Sequence, residues 1–100
     1  MRIYQAVPQH LGAFHAFFRE HLLPTQQRQG ARLVGRWETE DSRVVAVWEY
    51  DDEASYRRIE AAVRADPATV NAWEVREQLP DFFTSRDEVL MHSTLQEHAL

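Results

Sequence analysis

The segment Arg43–Tyr50, with the sequence R-V-V-A-V-W-E-Y, decides the fold of this 100-residue chain. In a β-strand, alternate side chains point to opposite faces, and here both faces are apolar. One face carries Val44, Ala46, Trp48 and Tyr50, and the other carries Val45 and Val47. A strand of a small antiparallel sheet usually buries one face and exposes the other to water. The sequence therefore predicts helices over one face and, in so short a chain, a second copy of the protein over the other.

The rest of the chain predicts three more strands and two helical regions. The strands are expected at residues 2–7, 32–39 and 86–93, and the helical regions at 9–29 and 52–79. Pro24 should kink or break the first helix near residues 20–23, because it lacks a backbone donor. Asp66 and Pro67 should end one helical segment and start the next. The order β-α-β-β-α-β is that of an α+β, ferredoxin-like fold, with a four-stranded antiparallel sheet and both helices on one face.

The turn between the second and third strands determines which residues face each other in the hairpin. We predict a turn centred on residues 41–42, in which Trp37 lies opposite Ala46 and a large indole faces a small residue. This register places Trp37 on the same face as Trp48, the face that we expect the helices to cover. It places Arg36 on the opposite face.

The composition excludes several classes of protein. The net charge is −5, and all eleven basic residues are arginines, which gives no electrostatic footprint of a nucleic-acid-binding protein. The absence of cysteine excludes disulfides, thiolate metal sites and cysteine nucleophiles. No apolar run reaches the roughly 18 residues that a membrane span needs, and the first residues do not form a signal peptide. We expect one soluble, cytoplasmic domain over residues 1–100 that contacts neither nucleic acid nor membrane.

Three patterns in the chain are distinctive when taken together. They are Gly30–Trp37 (G-A-R-L-V-G-R-W), Trp48–Asp51 (W-E-Y-D), and Asp66-Pro67 followed by Trp73. They resemble the NIPSNAP family of the dimeric α/β-barrel superfamily, which points to a bacterial protein. The resemblance covers roughly residues 2–93 and implies a homodimer in which two four-stranded sheets pack face to face. It implies little about chemistry. The wider superfamily includes cofactor-free monooxygenases, haem-degrading enzymes and small-ring isomerases, whose pocket lies between the sheet and the helices.

Two sets of candidate site residues follow from these patterns. The candidate ligand pocket consists of His15, Phe18, Trp37, Trp48 and Tyr50. The candidate dimer interface consists of Val34, Arg36, Val45, Val47 and Glu49. Core packing is the plain alternative for the two indoles, and a water-bonded residue at the helix border is the alternative for His15. For Arg36, the alternative to an ion pair across the interface is a subsite for an anion or carboxylate.

Neither a metal nor another cofactor is expected. The spacings between His10, His15 and His21 are not the i, i+4 spacing that places two ligands on one helix face. Asn71 and Trp73 are similar to residues of the haem-degrading relatives, but no histidine follows them in that helix, which argues against this role.

Three functions stay open at this stage. The first is a NIPSNAP-like homodimer that binds a small apolar ligand or a protein partner. The second is a cofactor-independent monooxygenase or isomerase acting on a small cyclic or aromatic substrate, with His15 as the base. It requires that His15 point into a closed pocket. The third is a structural subunit, which exposure of Phe82 and Phe83, expected in a connecting loop, would favour.

Overall fold

The computed structural model describes residues 1–95, which form a four-stranded antiparallel sheet with helices on one face. The strands are β1 (Arg2–Ala6), β2 (Arg32–Glu38), β3 (Arg43–Glu49) and β4 (Phe83–Glu88). The helices are α1 (Leu11–Phe17), α2 (Leu23–Arg28), α3 (Glu53–Ala65) and α4 (Pro67–Glu77), with a 3₁₀ turn at Pro8–His10 and a π-helical segment at Phe18–Leu22. The strand order β2-β3-β1-β4 confirms the predicted ferredoxin-like α+β fold and makes β3 a central strand.

Pro24 disrupts the first helical region where the sequence predicts. Proline cannot donate a hydrogen bond to the carbonyl four residues earlier, which here belongs to Glu20. The backbone widens into the π-helical segment just before it, and α2 then starts at Leu23 with the proline in its first turn, where no donor is needed. Such π-helical segments occur frequently at functional sites. This one contains His21.

The β2–β3 hairpin has a three-residue loop in place of the predicted two-residue turn. Thr39 N donates to Arg43 O at 2.8 Å, and Ser42 adopts the left-handed region at φ 63°. Trp37 consequently pairs with Val45, and the predicted pairing of Trp37 with Ala46 is wrong. The left-handed residue allows the three-residue loop to close with good strand twist. A shift of one residue moves side chains to the opposite face of the sheet, and this applies to β2 from Gly35 to Glu38. The irregularity between Leu33 and Gly35 restores the predicted facing for Leu33, which pairs with Trp48.

The corrected register changes which residues lie under the helices. Arg36 pairs with Ala46 and lies on the helix-covered face, so its predicted place beside Val45 and Val47 is wrong. Trp37 lies on the open face and is 52% exposed. A Cβ atom at Gly35 would lie 2.5 Å from the Trp37 ring, which shows that the indole rests directly on the glycine.

The core lies between the sheet and the helices. Phe82 is fully buried and stacks on Phe14, with ring centroids 5.4 Å apart. Phe83 begins β4 opposite Ala6, so the predicted loop position is wrong for this residue, and Phe82 is not exposed as the structural-subunit hypothesis requires. The strand predicted at 86–93 starts earlier, at Phe83, and ends at Glu88, and the apolar residues 89–91 beyond it are exposed. The sequence also predicts a loosely held tail at 94–100, of which residues 96–100 lie outside the described residues.

Asp66 joins two helices at one corner of the fold. Its Oδ1 accepts a hydrogen bond from Ala68 N at 2.9 Å and caps α4, while Arg28 and Gln29 donate to its Oδ2 at 2.7 and 2.9 Å. The backbone N–H of Ala68, and then Gln29 and Arg28, lower the pKa of Asp66 to about 2. The carboxylate therefore connects the end of α2 to the start of α4.

Among residues 1–95, no helix is long and apolar enough to cross a membrane.

We expect Asp66 to make the stability of the protein depend on acidic pH. Its pKa of about 2 in the folded state lies below the ordinary 3.8, so the unfolded chain binds a proton first as the pH falls. The contribution of this carboxylate is fully present above about pH 4 and declines as the pH falls towards 2. Urea denaturation of the wild type and of Asp66→Asn, measured from pH 5 to 2.5, should show a free energy of unfolding that falls less steeply in the variant. Parallel curves would contradict this role.

Candidate functional site

A cavity of about 220 Å³ lies between the sheet and the helices. Its apolar walls are aromatic: Tyr4, Phe14, Phe17, Phe18, Trp48, Trp73, Phe82 and Phe83. An apolar cavity of about 150 Å³ holds a molecule the size of benzene. The space is therefore sufficient for one substituted ring, and its walls suit a flat apolar body.

The charged side chains around this cavity are mostly cationic. They include five arginines, namely Arg2, Arg36, Arg64, Arg76 and Arg86, against the single carboxylate of Glu60. The whole chain, by contrast, carries a net charge of −5. Glu88 lies close to two of these arginines, 3.9 Å from Arg2 and 3.5 Å from Arg86. Low-dielectric walls strengthen the field of charged groups inside a cleft.

Ala46 forms the floor of the cavity between two of these arginines. It pairs with Arg36 of β2 on one side and with Arg2 of β1 on the other. Its small side chain leaves space above the sheet. Arg2 is neutralised, because its Nη2 donates to Glu60 Oε1 at 2.5 Å and its Nε lies 3.9 Å from Glu88 Oε2. Arg36 has a different environment.

The guanidinium of Arg36 is held by rings and by a histidine. Its Cζ lies 4.3 Å from the ring centroid of Phe18 and 4.9 Å from that of Phe14, both within cation–π range. Its Nη1 donates to His15 Nδ1 at 2.6 Å. Its Nη2 is buried and has no hydrogen-bond partner among residues 1–95. Burial lowers the pKa of Arg36, but an arginine keeps its charge in proteins. Arg36, which lines the cavity, thus carries a cationic donor without a partner.

His15 lies outside the cavity with both ring nitrogens engaged. Because Nδ1 accepts from Arg36, Nε2 carries the proton and donates to Glu38 Oε1 at 2.7 Å. His15 and Trp37 line a second groove at the outer edge of β2, which shares Phe18 and Arg36 with the cavity. In this arrangement His15 orients Arg36, and it has no free lone pair that points into the cavity.

The predicted ligand pocket is therefore divided between several places. Phe18 and Trp48 line the cavity, with ring centroids 6.1 Å apart. Tyr50 packs edge-on against Tyr56 at 5.0 Å. His15 and Trp37 lie in the outer groove, Trp37 because of the shifted register.

The predicted dimer interface is divided in a similar way. Val45 and Val47 lie on the open face and are partly buried, Glu49 is exposed, and Val34 is 58% exposed beside an irregularity in β2. Arg36 belongs to the cavity on the other side of the sheet.

Most of the cavity residues were not predicted from the sequence, and two of the polar ones lie close to Pro24. His21 lines the cavity from the π-helical segment, although its position along the helix predicts no such role. Gln26 of α2 is only 7% exposed, and its Oε1 has no hydrogen-bond partner within residues 1–95. The signal that could have located both is Pro24, since the backbone change before a proline rotates the following residues relative to a regular helix. No cluster of side chains suited to a metal ion occurs among residues 1–95.

The strand order and the cavity between sheet and helices define a ferredoxin-like α+β protein with a basic internal site. The family model for NIPSNAP matches residues 1–89, and the chain belongs to this family. The match confirms the resemblance of the sequence patterns. A comparison with curated protein sequences finds no significant match.

Solved bacterial structures share the fold. An uncharacterized NIPSNAP domain protein from Burkholderia xenovorans has a TM-score of 0.78 and 20% identity, with 95% of this chain and 93% of the other covered. An uncharacterized NIPSNAP-like domain protein from the same organism has a TM-score of 0.76 and 23% identity, with 95% and 84% covered. A protein from Agrobacterium tumefaciens has a TM-score of 0.78 and 15% identity, with 96% and 93% covered. At these identities the similarity establishes the fold alone.

The different environments of Arg36 and Arg2 predict different losses in the free energy of unfolding when each arginine is replaced by methionine. Arg36→Met removes a buried donor that lacks a partner, and we expect it to cost about 1 kcal/mol or less, chiefly through the lost cation–π contacts. Arg2→Met leaves Glu60 unpaired in a partly buried place and should cost about 2 kcal/mol or more. Urea denaturation at neutral pH compares the two variants. A larger loss for Arg36→Met would mean that Arg36 is primarily a structural residue.

Proposed function

We propose that this protein binds a small organic anion with a flat apolar body in the cavity between its sheet and its helices. The observation that carries the proposal is the guanidinium of Arg36, whose Nη2 is buried without a partner in a cavity lined by five arginines and one carboxylate. A carboxylate accepts strong, charge-assisted hydrogen bonds from such a group. The aromatic walls then contact the ring of the ligand. This is the anion subsite that the sequence left open as an alternative for Arg36.

The geometry gives less support to a cofactor-independent monooxygenase or isomerase with His15 as its base. A general base needs a free lone pair within hydrogen-bond reach of the substrate. The imidazole of His15 accepts from Arg36 and donates to Glu38, and it borders the outer groove. Binding is therefore the function that these contacts support best.

We further propose that the protein is a homodimer formed through the open face of the sheet. Val45 and Val47 are apolar and lie on the face opposite the helices, and Ile3 pairs with Val45 on the same face. Trp37 adds an exposed indole beside them. A second copy of this face would cover the apolar row, as the family resemblance implies.

Anion binding can be tested with benzoate as the probe and neutral benzamide as its uncharged analogue, by isothermal titration calorimetry. We expect benzoate to bind more tightly than benzamide. Arg36→Met should weaken benzoate binding by about tenfold or more, because a hydrogen bond to a charged group is lost. Ala46→Leu should remove binding by filling the floor of the cavity. Arg57→Met serves as the matched control, since Arg57 is exposed and paired with Glu53 on α3. Equal affinities for benzoate and benzamide, or full binding by Arg36→Met, would refute the proposal.

Dimerisation can be tested by placing a charge on the open face. Val45→Glu and Val47→Glu should each shift the protein from dimer to monomer in sedimentation velocity, because a buried and unpaired carboxylate costs several kcal/mol. Val70→Glu is the control on the helical side, where Val70 is 55% exposed. A wild-type protein that sediments as a monomer at high micromolar concentration would disprove the interface.

A further inference from the structure

We propose that the ligand of the cavity carries a hydrogen-bond donor as well as its negative charge, and that Gln26 Oε1 accepts a hydrogen bond from this donor. The ligand class is then a hydroxylated or amino-substituted aromatic or cyclic carboxylate. This inference rests on the proposed anion-binding function and specifies the ligand more closely.

Gln26 occupies a position where an apolar side chain would satisfy packing. It lies in α2 behind the π-helical segment, and its side chain is 7% exposed among aromatic cavity residues. Its backbone is anchored, because its carbonyl accepts from Ala31 N at 3.0 Å. Buried polar side chains normally have a hydrogen-bond partner, and an exception requires an explanation such as a bound molecule.

The two buried side-chain atoms without a partner in residues 1–95 both belong to residues that line this cavity. They are Arg36 Nη2, a cationic donor, and Gln26 Oε1, an acceptor. A carboxylate alone satisfies only the arginine, and an apolar ligand satisfies neither atom. A ring that carries a carboxylate and a hydroxyl or amino group offers a hydrogen-bond partner of the right kind to each atom.

Two of the polar groups that line the cavity already have partners. The hydroxyl of Thr69 donates to Val63 O at 2.5 Å. The carboxylate of Glu60 accepts from Arg2 at 2.5 Å. Gln26 differs from both, because its Oε1 is a buried acceptor without a partner in residues 1–95.

The test compares dissociation constants for benzoate, 3- and 4-hydroxybenzoate, and the corresponding methoxybenzoates, which cannot donate, in the full-length protein. We expect at least one hydroxybenzoate to bind about tenfold or more tightly than benzoate and than its methoxy analogue. In Gln26→Leu, the ratio of the benzoate and hydroxybenzoate constants should fall towards one. Gln27→Leu is the matched control, because Gln27 is exposed in the same helix and the preference should persist there.

The possible failures can be told apart. If benzoate binds through Arg36 but no hydroxybenzoate is preferred, the inference about Gln26 is overturned and the anion site stands. If Gln26→Leu folds and still prefers hydroxybenzoate to benzoate, another group accepts the hydrogen bond from the ligand, and the inference is likewise overturned. If none of the carboxylates binds, the proposed function fails, and this inference fails with it. If Gln26→Leu does not fold, the wild type alone tests the inference. Equal dissociation constants for the hydroxybenzoates and the methoxybenzoates would contradict it.

Discussion

The backbone of Ser42 is the constraint on which the cavity depends. Its left-handed conformation closes a three-residue loop and fixes Arg36 opposite Ala46. Because a shift of one residue inverts every side chain of a strand, the same loop turns Trp37 to the open face. With a two-residue turn, the indole would lie against Ala46 and fill the space that now forms the cavity. The loop thus decides whether the face under the helices holds a packed indole or a cation beside an open volume.

The environment of Arg36 is organised to hold a charge without neutralising it. Phe14 and Phe18 contact its guanidinium, and His15, itself fixed by Glu38, accepts from one of its amino groups. These contacts orient the side chain but leave its charge uncompensated. A group that is locally unfavourable and firmly positioned is typical of a functional site, where stability is given up for recognition. An uncompensated charge held in this way is better suited to binding than to core packing.

The sequence predicts the fold well and the site poorly, for a physical reason. Element order and strand position follow from hydrophobic periodicity, which Arg43–Tyr50 shows clearly, and small errors at element ends do not change the topology. The site depends on which face of the sheet each side chain occupies. One additional residue in the loop, closed by Ser42, reverses the faces of Arg36 and Trp37. His21 and Gln26 line the cavity because the helix is irregular before Pro24, and the size of such an irregularity cannot be predicted from a periodic pattern. The buried Phe82 shows the same limit, since a residue between elements has no period to place it.

Strand β3 joins the two proposed activities of the chain. The side chain of Ala46 forms the floor of the cavity, while those of Val45 and Val47 point through the other face of the same strand. Branched valines pack well on a pleated surface and favour the strand conformation. A partner covering them in the proposed homodimer would restrict the twist of β3 and its neighbours. The spacing of Arg36 and Arg2 across Ala46 is set by that sheet. Assembly through the open face would therefore hold the arginines of each cavity in place without contributing a residue to it.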